Sequence, residues 1–483
     1  MKKLIISCFS LLMLLGISSC NDELDINRDP DSLSQSGVAL STEFPAAIAG
    51  IVGPQGSYLT LIGGFWAQYW TQSNAANQYK TIDDYSILGT SSMLNGAWTS
   101  MFDGLGDVRN VKRIAVEEEN WNYYLMATCM EAYASQIMAD FFDQIPYMEA
   151  NNPSILQPQF QEGSVVYDQM INDLNDALSK NLSNSKGTPP AADDLIFGGD
   201  MANWKAFANT LKLKIYLRQE NKRGDVTSAG ISKLLSSNVS FLSVDAAMTQ
   251  FEDAPDKSNP LYESNERQLN TPTNLRASTT LYSYLQTNAD PRLDHYYEAG
   301  TPLDQGDFNS TAASSGISVV NLSAVTPVYL LSLEESLFMQ AEAELKYGSA
   351  AKAKSKYEAA VDEAFAKNGE DGSSFIASGG AYAFPTAGSD SDKLTAIITQ
   401  KWISGFPGNG FEAFFDTNRT GIPATSSVPQ TDANYVAGTL SYSVNGTTGG
   451  KFPKRLEFPS DVRSRNSNAP AVVGTTTPVW WVQ

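Results

Sequence analysis

The chain has 483 residues, 42% hydrophobic and 18% charged, a composition that supports a large buried core and excludes a disordered protein. Its formal charge of −20 leaves no basic footprint for phosphate backbones, which excludes nucleic acid as a partner. A single histidine argues against a histidine-dependent triad or a multi-histidine metal site.

At the N-terminus, Lys2 and Lys3 precede an apolar run over 4–17 that falls short of the roughly 20 residues needed to span a bilayer. Residues 1–19 therefore read as a secretory leader. Ile17, Ser18, Ser19 and Cys20 resemble a bacterial lipobox, in which Cys20 becomes the lipidated first residue; a plain leader cut near Cys20 is the alternative. Asp22, Glu23 and Asp25 follow, either as a surface-export signal or as part of a solvated tether. Residues 20–43, with Pro30 and several turn-forming residues, are expected to be an extended tether. With Cys8 lost in the leader and Cys20 taken by lipid, Cys129 has no disulfide partner. It falls on a helical stripe with Met126, Met130 and Tyr133 and reads as a buried, inert thiol.

A helical pattern starts near Phe44, and the segment 61–72 carries more aromatic surface than one core stripe needs. It runs into a polar, amide-rich stretch over 71–85 with no apolar period, which reads as functional loop. Helical spacing then predicts an antiparallel pair over 91–118 and 121–142, and a second over 162–180 and 203–218. Residues 236–326 are rich in Asn, Asp, Ser, Thr and Pro and read as loop, apart from a helix over 278–286. Over 328–367, Leu330, Leu333, Leu337, Ala341 and Leu345 follow helical spacing, Gly348 punctuates, and Ala353, Tyr357, Ala360 and Ala364 restart the period. This hairpin resembles one tetratricopeptide unit, with Gln340 and Glu344 as departures, and a lone unit needs neighbouring helix pairs to bury its faces.

Helices are expected over 392–403 and 411–418, where Glu412 and Arg419 read as fold-supporting ion partners. Alternation over 439–444 before Asn445-Gly446 predicts a small β-hairpin, and Trp480 and Trp481 read as packing anchors. The fold class is thus mainly α: a tetratricopeptide-like helix-hairpin scaffold packed against an irregular, loop-rich half with a small β-hairpin. The scaffold is assigned to 44–235 and 327–420, the loop-rich insertion to 236–326 and an irregular C-terminal region to 421–483, all within one domain over 44–483.

NWKAFANTLKLKIYLR, SVVYDQMINDLNDAL, NADPRL, KWISGFPGNGFEAFFDTNRTGIP, RLEFPSDVRSRNSN and the terminal TPVWW stand in an order that resembles the SusD/RagB-type outer-membrane lipoproteins of Bacteroidetes. The resemblance covers essentially everything after Cys20. It implies a lipid-anchored protein at the outer membrane, facing the exterior, that captures glycans or, less often, peptides and passes them to a TonB-dependent SusC-like transporter. No enzyme activity, cofactor or metal follows from it.

The ligand is expected where the polar stretch 71–85 meets 262–276. Trp70 and Tyr79 are candidate stacking rings, with Tyr262 and, more weakly, Trp98; Asn74, Asn77 and Arg267 are candidate hydrogen-bonding groups. Amides, guanidinium groups and a flat ring suit a neutral polyol, although the same residues also satisfy loop backbone. The competing class is a surface glycosidase, which needs a carboxylate pair such as Asp83 with Asp84 or Glu252 with Asp253.

Overall fold

The computed structural model describes residues 39–482; the leader, Cys20 and most of the expected tether lie outside the described residues. The first helix, α1 (Leu40–Pro54), continues through a π-helical turn (Gln55–Leu59) into α2 (Thr60–Trp66), with strand β1 (Trp70–Gln72) and a short α3 (Lys80–Asp83) behind it. The long helices α4 (Ser92–Glu117) and α5 (Trp121–Phe142) follow. Each starts at a side-chain cap: the Ser91 hydroxyl accepts from the Met93 amide and the Asn120 carbonyl from that of Tyr123. Helix α1 packs on α4 so closely that a β-carbon on Gly50 would lie 2.8 Å from the Gly104 Cα. Only glycine allows that crossing.

After β2 (Gln144–Ile145) and β3 (Gln161–Glu162) come α6 (Gly163–Ser179), α7 (Met201–Arg218) and α8 (Gly224–Ser236). The loop-rich stretch carries β4 (Ala246–Met248), a helical turn α9 (Pro260–Tyr262) extended by a π-helical segment (Glu263–Gln268), β5 (Leu275–Ala277), α10 (Thr279–Thr287) and α11 (Arg292–Tyr296). Strand β6 (Val328–Leu331) leads into the hairpin α12 (Leu333–Tyr347) and α13 (Ala350–Ala366), and α14 (Ser373–Ile376), α15 (Asp390–Ser404), α16 (Gly410–Thr420) and α17 (Ser460–Arg465) complete the described α-helices. The strands form three two-stranded antiparallel pairs, β1 with β5, β2 with β3, and β4 with β6. Leu330 therefore belongs to a strand rather than to the helix its spacing suggested. Thr439–Val444 pairs with no strand; Leu440 makes an isolated parallel bridge to Thr425, and the turn after it is closed by Gly446 N–H on the Ser443 carbonyl at 2.9 Å.

Helix α12 buries acids where a lone hairpin would expose them. Lys214 of α7 lies 2.7 Å from Glu335 and 2.9 Å from Glu412. Arg218 reaches Asp140 at 3.2 Å and also pairs with Glu412 and Asp416. Lys401 meets Asp416 at 2.8 Å, and Arg419 grips both oxygens of Glu342. Burial alone would raise the Glu342 carboxyl, but Arg419 and Lys346 hold it down at about 2. Side chains from α7, α12, α15 and α16 thus neutralise one another away from water, the arrangement that buried charges require. The expected ion-partner roles of Glu412 and Arg419 fit this network. Cys129 is fully buried, and burial pushes its thiol well up.

Among the described residues, no helix is long and apolar enough to cross a membrane.

Candidate ligand-binding cleft

The two polar stretches do meet. Strand β1 pairs with β5 in the register Trp70–Ala277, Thr71–Arg276 and Gln72–Leu275, and the Ser73 amide continues the join to the Asn274 carbonyl at 2.9 Å. Gln72 Nε2 donates to Asn274 Oδ1 at 2.8 Å, while Gln72 Oε1 accepts from the Tyr79 amide at 2.7 Å. The Tyr79 hydroxyl donates to Asn265 Oδ1 at 3.3 Å. Behind them, Asp83 accepts from the Thr71 hydroxyl at 2.6 Å, the Gln72 amide at 2.8 Å and Gln305. Burial raises the Asp83 carboxyl to about 7 against the pull of these hydrogen bonds.

In front of this join lies an open cleft of about 710 Å³. One wall comes from the end of α1 and the π-turn, with Pro54 and Tyr58; Met93 of α4 forms part of another. Gln78 and Tyr79 come from the first polar stretch, and Glu263, Gln268 and Leu269 from the second. Tyr58 and Met93 are half-buried, while Gln78, Gln268 and Leu269 are exposed. A half-covered ring, the edge of a second, an aliphatic surface, two amides and a carboxylate match a sugar, which presents apolar CH faces and a rim of hydroxyls.

The expected site residues separate. Tyr79 lines the cleft with little of its surface exposed, and Asn77 is exposed on the neighbouring turn. Asn74 is turned away, its Nδ2 donating to the Ser310 and Ala312 carbonyls at 3.0 and 2.8 Å. Trp70 is fully enclosed: its ring lies against Gly64, where a β-carbon would stand 2.0 Å from it, and Nε1 donates to the Leu61 carbonyl at 3.3 Å. Trp98 is 6% exposed and stacks on Phe102, with centroids 4.6 Å apart. Both tryptophans present core surfaces rather than open platforms. Tyr262 carries the Arg267 guanidinium 5.4 Å above its ring, and Arg267 is engaged by Asp253 and by the Ser258 hydroxyl at 2.9 Å. The suggested carboxylate pairs are likewise occupied, Asp83 as above, Asp253 by Arg267 and Glu252 by Lys257 at 3.0 Å.

Sequence reasoning passed over Tyr58, Gln78, Gln268, Leu269 and Met93. The signal for Tyr58 was the run GPQGSY, whose glycines and proline interrupt an apolar helix and mark the π-turn that brings the ring to the surface. Among the described residues, no cluster of three or more His, Cys, Asp or Glu is placed to hold a metal.

A mainly helical, tetratricopeptide-like scaffold with an amide- and ring-lined cleft where it meets the irregular half defines the class. The model of the SusD-like_2 family, described as "Starch-binding associating with outer membrane", matches residues 44–442, and the chain belongs to this family. Its fold is similar to that of a SusD homologue from Bacteroides uniformis ATCC 8492, with a TM-score of 0.73, 21% identity and coverage of 92% of this chain and 99% of that one. A SusD homologue from Bacteroides vulgatus ATCC 8482 also gives 0.73 at 21% identity, over 92% and 97%. A chitin-binding SusD homologue from Flavobacterium johnsoniae gives 0.70 at 19% identity, over 91% and 98%. No curated protein matches the sequence. The family binds glycans at the cell surface.

Proposed function

We propose that this protein is a lipid-anchored outer-membrane protein that captures an oligosaccharide in the cleft between Tyr58, Gln78, Tyr79 and Gln268 and hands it to a TonB-dependent, SusC-like transporter. The observation that carries the reading is the cleft's lining, in which rings and amides converge where the two polar stretches are joined. The family's description as starch-binding and associated with the outer membrane supports the ligand class and the location. A non-catalytic role fits carboxylates that are taken up in ion pairs and backbone hydrogen bonds.

Isothermal titration against a panel of starch, chitin and plant-wall oligosaccharides, with peptides alongside, tests this directly. A glycan ligand whose affinity drops in Tyr58→Ala supports it. Binding of peptides alone, or release of reducing ends from a bound glycan, overturns it. Recovery of a barrel transporter in mild-detergent purification tests the partnership, and repeated absence of one counts against it.

A further inference from the structure

A second cavity, of about 570 Å³, shares no lining residue with the cleft and opens beside the C-terminal end of α16. Its walls are aromatic: Trp66 against Phe414 with centroids 4.9 Å apart, and Tyr85 against the half-buried Phe452 at 6.3 Å. Its charged groups are of one sign only, Lys451 and Lys454, and no Asp or Glu lines it, in a chain with 53 acidic residues and 33 basic ones.

Around Lys454, donors outnumber the acceptors that meet them. Lys454 Nζ donates to Asn418 Oδ1 at 2.8 Å. This contact fixes the orientation of the Asn418 amide, because the opposite flip would set an NH₂ against an ammonium. Asn418 is 7% exposed, and its Nδ2, turned the other way, has no partner. An ammonium carries three donors; Lys454 is half-buried and has no carboxylate partner among the described residues, and burial lowers its pKa. Elsewhere the chain pairs its deeply buried Lys214, Arg218 and Arg419 with acids.

The end of the helix does not account for Lys454. The Asp416 carbonyl accepts from the Thr420 hydroxyl at 2.7 Å, that of Thr417 from the Gly421 amide at 2.8 Å, and that of Arg419 from Asn221 Nδ2 at 2.7 Å. These three carbonyls at the end of the helix are therefore satisfied without a cation.

We propose that this cavity is a second ligand site, one that takes a small carboxylate carried on a body with a flat apolar face, such as a uronic acid. The carboxylate would accept from Lys454, which Asn418 Oδ1 holds in place, and the ring face would lie on Phe452. The proposal is independent of the glycan reading of the first cleft, since it rests on other residues and on charge.

Two pairs of probes test it in titrations at low salt: D-glucuronate with D-glucose, and N-acetyl-L-phenylalanine with its amide. A carboxylate bound at least tenfold more tightly than its neutral counterpart supports the site, and which pair shows the preference tells a sugar acid from a peptide-type carboxylate. Lys454→Met, on a half-exposed side chain, is expected to abolish the preference; Asn418→Leu is expected to weaken it, with its melting curve recorded to exclude unfolding. Tyr58→Ala, in the other cleft, should leave the preference intact. No preference in either pair, or a preference unchanged in Lys454→Met, or one lost in Tyr58→Ala, overturns the assignment.

Discussion

Truncating two aromatic rings should separate the core from the cleft. Trp70 is completely buried and meets Phe65, Tyr69 and Phe406 with centroid distances of 6.4, 6.2 and 6.2 Å. Trp70→Ala removes the whole ring from a packed site and is expected to cost about 3–5 kcal/mol of folding stability. For a chain of this length the unfolding entropy is roughly 1 kcal/mol/K, so the melting temperature should fall by about 3–5 °C. Tyr58 is half-buried at the mouth of the cleft, and Tyr58→Ala should instead weaken glycan binding about fivefold, on the order of 1 kcal/mol. Its melting temperature should move by less than about 1 °C. Differential scanning calorimetry and titration with the best glycan give both numbers for each variant. The reasoning is refuted if Trp70→Ala melts like the parent while losing affinity, since that would make the enclosed ring a binding surface.

Arg419→Met leaves Glu342 and Asp416 without their shared guanidinium and should cost about 3–5 kcal/mol in urea denaturation. Because Glu342 titrates at about 2 in the folded protein, below its ordinary value of 4.5, it stabilises the fold at and above that value. This contribution is lost as pH falls from about 4.5 toward 2, and Glu342→Gln should show a shallower acid dependence over that window. Asp83 has the opposite sign: with a folded value of about 7 against 3.8, the folded state holds the extra proton, so stability falls as pH rises between the two. Denaturation of Asp83→Asn across pH 4 to 7 should lack that component. Cys20→Ala should leave helicity unchanged and move the protein from the membrane to the soluble fraction in cells without the transporter, as lipid burial contributes about 0.8 kcal/mol per CH₂.

Long elements with regular apolar spacing were readable. The helix over 121–142 is found at those bounds, and the hairpin α12–α13 turns at Gly348 as its spacing required. Helix α8 was not recognised, because Thr227, Ile231 and Leu234 are its only buried positions, too few to stand out from the surrounding polar residues. Of the acids of α12 only Glu344 stood out in the sequence, as a departure from a repeat; Lys214, Lys401 and Arg419, which meet Glu335 and Glu342, lie far away in sequence on α7, α15 and α16, and no local period reports them. The meeting of the two polar stretches could be guessed from their shared composition. Which side chains face the cleft could not: Trp70 and Tyr79 stand nine residues apart, and the packing of Gly64, Phe65, Tyr69 and Phe406 around Trp70 separates the sealed ring from the one at the wall.

The join between β1 and β5 is made by main-chain hydrogen bonds, extended by the Ser73 amide on the Asn274 carbonyl. Backbone pairing is largely indifferent to the identity of side chains that point away from it. Gln78, Gln268 and Leu269, on exposed turns beyond this seam, can therefore be exchanged without loosening what holds the two stretches together. The architecture separates the part that must be kept from the part that is free to drift, so the rim of the cleft can vary while the scaffold is inherited whole.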